Sequence, residues 1–474
     1  MDRVDVLIVG AGPTGLTMAI ECLRYNLTCR IIDQSLKPSP YSKAIAVQAR
    51  TLEIFQRMGI HQRILAAGLP IKKAHLHSGN KHAYLHLTSI PSPFPFVLSI
   101  EQSQTEQILS EYLQELGGRV ERPLSLLYYE EKEGVIFAHT DQGVIQAHYL
   151  IGCDGAHSSV RKVMECTFEG KQFADIFSLA DVKVHWNHPH DQLQLFLESD
   201  GIAAALPLPE KECYRLIFQL KELGQSKEVA LPTLDRMEQL LSKYAKQSVT
   251  LSNPRWIANF HINSRLASRY RKNSVFLAGD AAHIHSPVGG QGMNTGIQDA
   301  FNLAWKIAYV QHRFASASLL NTYEEERYRL GKSLLKNTQL ASTLVTLRSP
   351  LLLFVRNALL FHLLSFQWVQ AKLALALSEV NIRHTHKRVP DILLNIQGKE
   401  VDYFTLTEKS TQFHLLLFNL AQPPIHHPQI TPYHAKDKST PKVLLVRPDG
   451  YLALEDYPPF KKLNSYIKSF IYNS

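Results

Sequence analysis

Paired cysteines are the first thing this sequence lacks. Its five (Cys22, Cys29, Cys153, Cys166 and Cys213) are odd in number and show no CxxC spacing, which argues against a disulfide framework, a cysteine-based zinc site and a dithiol redox pair. The chain also lacks a long apolar opening. Its N-terminus is a strand pattern carrying Asp2 and Asp5, not a signal peptide, so a cytoplasmic location is expected. Despite a net charge of +9, there is no basic block with interleaved aromatics, and nucleic acid is not an expected partner. Positive potential of this spread-out kind suits a phosphorylated nucleotide. No transmembrane segment is expected either. The longest uncharged run in the leucine-rich stretch Leu351–Leu377 is Asn357–Ala371, too short to cross a bilayer. Its polar residues scatter around the helical wheel, which predicts one or two helices buried between domains or subunits.

What is present describes an ordinary globular protein. The 474 residues are 45% hydrophobic and 20% charged, enough for a sizeable core and about three domains. The chain is organised around Val275–Lys306. A short apolar strand there delivers Asp280 at its carboxyl end, after Gly279. The glycine-dense loop Pro287-Val288-Gly289-Gly290-Gln291-Gly292 follows, and then Met293, Asn294 and a helical pattern. Ligands of open α/β sheets sit at strand carboxyl ends, glycines let backbone N–H groups approach them, and the helix start offers unpaired donors and partial positive charge. This order suits a planar group that becomes anionic, as a reduced flavin does. A plain glycine-rich turn is the bland alternative.

A second half-site opens the chain. Val6-Leu7-Ile8-Val9 reads as a buried strand, Gly10-x-Gly12-Pro13-Thr14-Gly15 as its turn, and a second strand ends at Asp33. Strand, glycines, helix and acid in this spacing form a dinucleotide site, with pyrophosphate on the helix N-terminus and ribose on Asp33. The motif alone leaves FAD and NAD open. Asp154-Gly155 repeats the theme at another strand end, where a capped turn is the simpler reading, and no serine there sits in a G-x-S-x-G elbow.

Elsewhere, Ser103 to Glu106 reads as a capping box. Phe177–Trp186, Gln192–Leu197 and Tyr214–Leu220 read as strands of a half-covered sheet, joined by residues 72–100. His75, His77, His82 and His86 fall in that region, but no cysteine or nearby carboxylate completes a cluster, and no metal is assigned. Arg447-Pro448-Asp449-Gly450 reads as a hairpin turn.

Together, Gly10-x-Gly12-x-x-Gly15, Asp154-Gly155 and Gly279-Asp280 with 287–294 resemble the single-component FAD-dependent aromatic hydroxylases, in the branch of phenol hydroxylase, pentachlorophenol monooxygenase and the polyketide hydroxylases. The resemblance runs over nearly the whole chain. It implies an α/β fold: a Rossmann-like FAD-binding domain of the glutathione-reductase type (1–71, 101–175 and 268–345), a β-sheet substrate domain (72–100 and 176–267), a helical segment (346–387) and a short thioredoxin-like C-terminal domain (388–474). It further implies that Asp33 holds the adenosine ribose, Gln102 contacts the cofactor and Asp280 binds the ribityl chain. The 287–294 loop would bracket the flavin ring, with Pro287 on its oxygen-side face, and Asp154-Gly155 would serve FAD and transient NADPH. Lys43 stands where many relatives carry arginine, a point charge in place of a bidentate fork. The implied activity is NADPH- or NADH-driven hydroxylation of a small aromatic, phenolic or polyketide-like molecule with O2 through a flavin C4a-hydroperoxide, by a monomer or homodimer. A flavin dehydrogenase, a tetracycline-inactivating monooxygenase, a non-catalytic flavin- or aromatic-binding module and a metal hydrolase on His283 and His285 are the alternatives. No catalytic base is assignable.

Overall fold

The computed structural model describes residues 3–198, 200–219, 231–286, 289–345, 347, 349–381, 387–436 and 440–471. Pro287 and Val288, and the end of the expected strand at Leu220, lie outside the described residues. The architecture is α/β, built around two large sheets.

The first sheet is centred on Val4–Val9, whose Val6, Leu7 and Ile8 are wholly buried. It runs parallel to Cys29–Ile32 on one side and to Gly143–Gly152 on the other. A strand covered on both faces needs a continuous apolar run, which Val-Leu-Ile-Val supplies. Val275–Leu277 adds in parallel beyond Gly143–Gly152, and Val120–Glu121 beyond Cys29–Ile32. The helices Pro13–Arg24 and Gly292–Gln311 pack against each other over this sheet. Because the chain leaves the central strand to opposite sides, a crevice opens at the strands' carboxyl ends, the switch point where ligands of such sheets lie.

The second sheet has eight strands, in the order His283–Ile284, Thr250–Ala267, Phe168–His185, Cys213–Gln219, Ile202–Pro207, Gln192–Leu197, Lys73–Ser78 and Lys81–His86. Its one parallel pairing is Gln192–Leu197 with Lys73–Ser78. Alternation sorts its faces. Val182, Val184, Phe196, Tyr214 and Phe218 lie under the helix Leu234–Ala245. Leu76, Leu193 and Leu195 turn the other way, into the main core.

One local expectation fails, and a second is met in its two helices. The helix expected to start at a capping box runs Gln102–Glu115 with Glu101 at its N-cap and no side-chain cap. The Ser103 hydroxyl instead meets that of Ser42 (2.9 Å), which also accepts from the Ser103 N–H; a tertiary partner displaced the local one. The leucine-rich stretch forms the helices Pro350–Leu364 and Gln367–Leu377, bent by 102°. Within the chain they are not enclosed. They rest on Lys81–His86 through a narrow stripe that buries Leu353, Leu364 and Ala374, while Leu351, Phe354 and Trp368 face outward at 70%, 68% and 59% exposure. No single described helix is long and apolar enough to cross a membrane.

At the C-terminal end, Phe413–Phe418 pairs in parallel with Ile430–His434 and antiparallel with Lys442–Val446, which pairs with Leu452–Asp456. This is the strand pattern of a thioredoxin-like sheet, but the segment 419–429 inside the parallel pair carries no helix. The turn after Lys442–Val446 is a hairpin with Gly450 at φ +82°. Its side chains do more than turn. Arg447 is buried and forms a fork on Glu326 (2.6 and 3.0 Å) while pairing with Asp449. Asn302 donates to both Glu326 and Asp449 at 2.9 Å, and Lys306 donates to Glu326 at 3.1 Å. Two cations and two carboxylates thus close a buried, charge-balanced cluster between the tail and the helix Gly292–Gln311.

Candidate functional site

The three glycine motifs, far apart in sequence, meet at the carboxyl ends of the first sheet. Gly10 (φ +101°) follows the central strand, and a Cβ there would come within 2.8 Å of the Asp154 Cα. A Cβ on Gly15 would overlap the Gly10 carbonyl oxygen. A Cβ on Gly12 would meet nothing within 4 Å. These glycines therefore have different tasks: Gly10 and Gly15 permit close backbone packing, and Gly12 leaves open space at the start of the helix Pro13–Arg24. Thr14 is the point of convergence. Its hydroxyl lies 2.6 Å from where a Gly279 Cβ would stand, and Gly296 approaches the Gly279 Cα on the same side. Gly296 was not singled out from sequence, where it resembles any helical glycine.

Asp33 ends the second strand with its carboxylate already engaged. It accepts from the N–H groups of Ala11 and Ser35 (both 2.8 Å) and pairs with Arg122 at 2.9 Å. The N–H bonds fix the carboxylate over the glycine turn. Arg122 was missed from sequence because its partner is distant and no motif surrounds it. Gln102 spans to the facing backbone, its Oε1 accepting from Ala44 N–H (3.0 Å) and its Nε2 donating to Glu106 (2.8 Å). The residue before Ala44, Lys43, has an exposed side chain, and its carbonyl accepts from Arg215 at 3.0 Å. Arg215 is itself clamped by Asp181 through two 2.7 Å bonds, so the second sheet holds the Lys43 loop in place. The Lys43 ammonium acts on both Glu106 and Asp280.

Asp154 caps the helix Ser159–Val163, accepting from Ser159 (2.7 Å) and Val160 (3.2 Å) through Oδ2. Its Oδ1 is buried without a hydrogen-bond partner, a polar atom that a ligand donor could satisfy. Burial raises the Asp154 carboxyl above its ordinary value, against the pull of Ser158 and the backbone N–H groups. Arg161 ties this segment to the next by donating to the carbonyls of Ala156 (2.7 Å) and Ala281 (2.8 Å).

Asp280 lies in the turn Gly279–Ala281 after Val275–Leu277. Protein surrounds it on most sides, yet its side chain is open to the crevice. That enclosure raises its pKa, while His283 and Lys43 pull it down. Beneath it is a buried support. Asp299 accepts from Gly279 N–H (3.0 Å), meets His283 Nε2 at 2.6 Å and pairs with Arg327, which also donates to the Thr295 carbonyl (3.0 Å). Burial alone would raise the Asp299 pKa; Arg327 and His283 hold it well below the carboxylate range instead. His283 is thus committed to Asp299.

The glycine loop is pinned from the opposite wall. Asn294 accepts from Gln48 N–H (2.8 Å) and donates to the carbonyls of Ala46 (2.9 Å) and Gly290 (2.8 Å), and Gln48 Nε2 donates to Gly289 (2.9 Å). Gly289 and Gly290 both take left-handed conformations, φ +90° and +64°. Gln291 donates to the Ala376 carbonyl at 3.3 Å. The helix that follows starts at Gly292 with no side-chain cap, and space is open at Gly292. Its first N–H groups are therefore available to an anionic ligand edge. Met293, the second residue of that helix, is half-buried against the main core.

Behind this helix, Glu379 sits buried at φ +58°, accepting from Gln298 (2.6 Å) and Thr295 (3.4 Å). Burial pushes its pKa up to about 8, against Arg327, Gln298 and Thr295. Unfolded glutamate ionises near 4.5, so between pH 4.5 and about 8 the folded chain holds a proton that the unfolded chain has lost. Stability contributed by the neutral carboxyl is complete below that window and falls as pH rises through it, at a limiting slope of about 1.4 kcal/mol per pH unit. Glu379→Gln is expected to flatten this decline. Thermal midpoints of the two proteins should converge near pH 4.5 and separate in favour of the variant at pH 8; parallel curves would contradict the assignment.

The crevice thus offers an acid for a sugar at each end, open glycines for phosphate, and an uncapped helix start for a planar anion. Such a set of donors and acceptors can accommodate an extended dinucleotide. Comparison with known proteins agrees. The family described as "FAD binding domain" matches residues 3–338. A flavin-dependent monooxygenase of Mycobacteroides abscessus is 31% identical over 95% of this chain and 97% of its own length. A rifampicin monooxygenase of Rhodococcus hoagii is 31% identical over 95% and 94%. Among solved structures, the OxyS anhydrotetracycline hydroxylase from Streptomyces rimosus superposes with a TM-score of 0.83 at 28% identity, covering 99% of each chain.

Proposed function

This chain belongs to the FAD-dependent aromatic hydroxylases, and we propose that the substrate of its NAD(P)H- and O2-dependent monooxygenase reaction is a fused polycyclic phenol of polyketide type. The similarity to proteins named for rifampicin and anhydrotetracycline supports that class. The observation that carries the site assignment is the meeting of three glycine motifs and two positioned acids, Asp33 and Asp280, along one crevice.

In this reading the segments 1–71, 101–175 and 268–345 form the cofactor unit, and 72–100 with 176–267 the substrate unit. Asp33 takes the adenosine ribose, with Arg122 orienting it. Gly12, Pro13, Thr14 and the helix behind them accept the pyrophosphate, and Lys43 and Gln102 border it. Asp280 accepts from the ribityl hydroxyls, while Asp299, through Gly279 N–H, fixes the turn that presents it. FAD, when bound, supplies hydride acceptance from NAD(P)H and activation of O2. The chain's own part is to hold negative charge at the Gly289–Asn294 helix start, which stabilises an anion by up to roughly 2 kcal/mol when partly buried, and to keep water out.

Asp280→Ala removes one charge-assisted acceptor, worth about 1.5–3 kcal/mol, so FAD should bind roughly 10- to 150-fold more weakly. Fluorescence titration of the apoprotein measures this; unchanged affinity removes Asp280 from the site. The reaction is tested by mass spectrometry of FAD-loaded protein given NADPH, O2 and a panel of phenols, naphthoquinones, anthracyclines and tetracyclines. A polycyclic product one oxygen heavier, formed only with enzyme and NADPH, supports the proposal. Oxygenation confined to single-ring phenols overturns it.

A further inference from the structure

The second sheet carries a cluster of histidines that the flavin site does not use. His75 and His77 lie two residues apart on Lys73–Ser78 and so project from one face. Ala74 and Leu76 pack into the main core, which puts the histidines on the opposite face, beside Phe196 and the layer under the helix Leu234–Ala245. His188, from the turn after Phe168–His185, closes over them. The rings of His75 and His77 are 3.8 Å apart and those of His77 and His188 5.4 Å apart. One ring nitrogen from each of the three lies within 4.8 Å of the other two.

Two observations separate this cluster from an ordinary histidine patch. Nε2 of His75 and Nε2 of His188 are both buried without a hydrogen-bond partner, an unfavourable state for polar atoms unless something else occupies them. His77, by contrast, is oriented: its Nε2 donates to Gln194 Oε1 at 2.9 Å, the kind of outer contact that fixes a ligating ring, which leaves Nδ1, 3.1 Å from Nδ1 of the exposed His82, as the nitrogen that would turn from His82 to an ion.

We propose that His75, His77 and His188 bind one late first-row divalent metal ion, with Zn2+ the natural probe. An all-imidazole donor set favours such ions over Mg2+ and Ca2+, which take oxygen ligands. Zinc–nitrogen bonds of about 2.0–2.1 Å set neighbouring nitrogens about 3.4 Å apart, so the three rings, whose nitrogens lie within 4.8 Å of one another here, would close in on a bound ion. The site lies on the sheet face turned away from the main core, so the ion clamps the turn carrying His188 to the edge strands and takes no part in oxygen transfer.

The test uses the FAD-loaded full chain, stripped with EDTA and titrated with Zn2+ against a chromogenic chelator. The chain has 22 histidines, so H75Q/H188Q is compared with the exposed-pair control H426Q/H434Q. Wild type and control are expected to take up one tight equivalent, and H75Q/H188Q to bind it at least about 100-fold more weakly while keeping its FAD spectrum and near-UV dichroism. Zinc-edge absorption of the loaded protein should fit three imidazoles. Absence of a tight equivalent in the wild type, or its survival in H75Q/H188Q, overturns the proposal. Should H75Q/H188Q lose its FAD spectrum, the single variant H188Q, in the turn and outside the sheet, replaces it under the same criterion.

Discussion

Arg447→Ala should lower the stability of the protein by about 3–5 kcal/mol, the usual cost of removing one partner from a buried ion pair. In the native cluster Arg447 faces Glu326 and Asp449, and Lys306 contributes the second cation. Without the guanidinium, two buried carboxylates share one ammonium. Its stacking over Trp305 and Tyr451, with centroids 5.4 and 5.6 Å away, is lost as well. The loss should be smaller when the charges are removed together, because an apolar replacement of similar volume leaves no orphaned charge. Denaturant midpoints of R447A and of the quadruple variant R447M/E326Q/D449N/K306M, which also removes the second buried cation, distinguish these cases. If R447A loses no more than an exposed Lys436→Ala control, the cluster has no role in stability.

The second large effect separates two glycines three residues apart. Gly15→Ala puts a methyl group onto the Gly10 carbonyl oxygen, a backbone atom that no rotamer change can move aside. Overpacking of this kind costs typically about 1–3 kcal/mol, and more where backbone must shift. Because Gly10 itself packs on the Asp154 backbone, the displacement would spread to a second motif. Gly12→Ala meets open space and has no positive φ, so the apoprotein should melt within about 0.5 kcal/mol of wild type, as substitutions clear of packing do. Its defect should appear only with FAD, whose phosphates need that space. Thermal melts of both variants with and without FAD provide the comparison. Equal destabilisation of the two apoproteins would contradict the division of labour.

How far the sequence could be read depended on how local each signal was. Gly10, Gly12, Gly15 and Asp33 belong to one strand–turn–helix–strand unit, and backbone geometry within some thirty residues dictates their spacing. Asp280 was legible for the same reason. The groups that support them were not. Gln48 holds Asn294 across 246 residues, and Arg327 reaches Asp299 from the next helix. Glu379 reads as one more polar residue at a helix end until its burial against Gln298 is seen. The Arg447–Asp449 turn was legible as a turn, because Pro and Gly punctuate locally; its burial against Glu326, 121 residues earlier, was not. The helices Pro350–Leu364 and Gln367–Leu377 show the limit in another form. Leucine content predicts a need for cover, but composition does not say which face receives it, and here most of the apolar surface faces outward.

The order of strands in the first sheet bears on how the protein is made. Val4–Val9 leaves the ribosome before its partners, and the sheet it centres is extended by Gly143–Gly152 and then by Val275–Leu277. In between, the chain must build most of a second sheet. The earliest βαβ unit therefore waits through much of synthesis with one edge unpaired, at translation rates of about 5–20 residues per second. Contacts so distant in sequence form slowly, and an unpaired apolar strand edge recruits other chains. Low temperature, slow expression and ample flavin are the conditions under which the nascent protein should best escape aggregation.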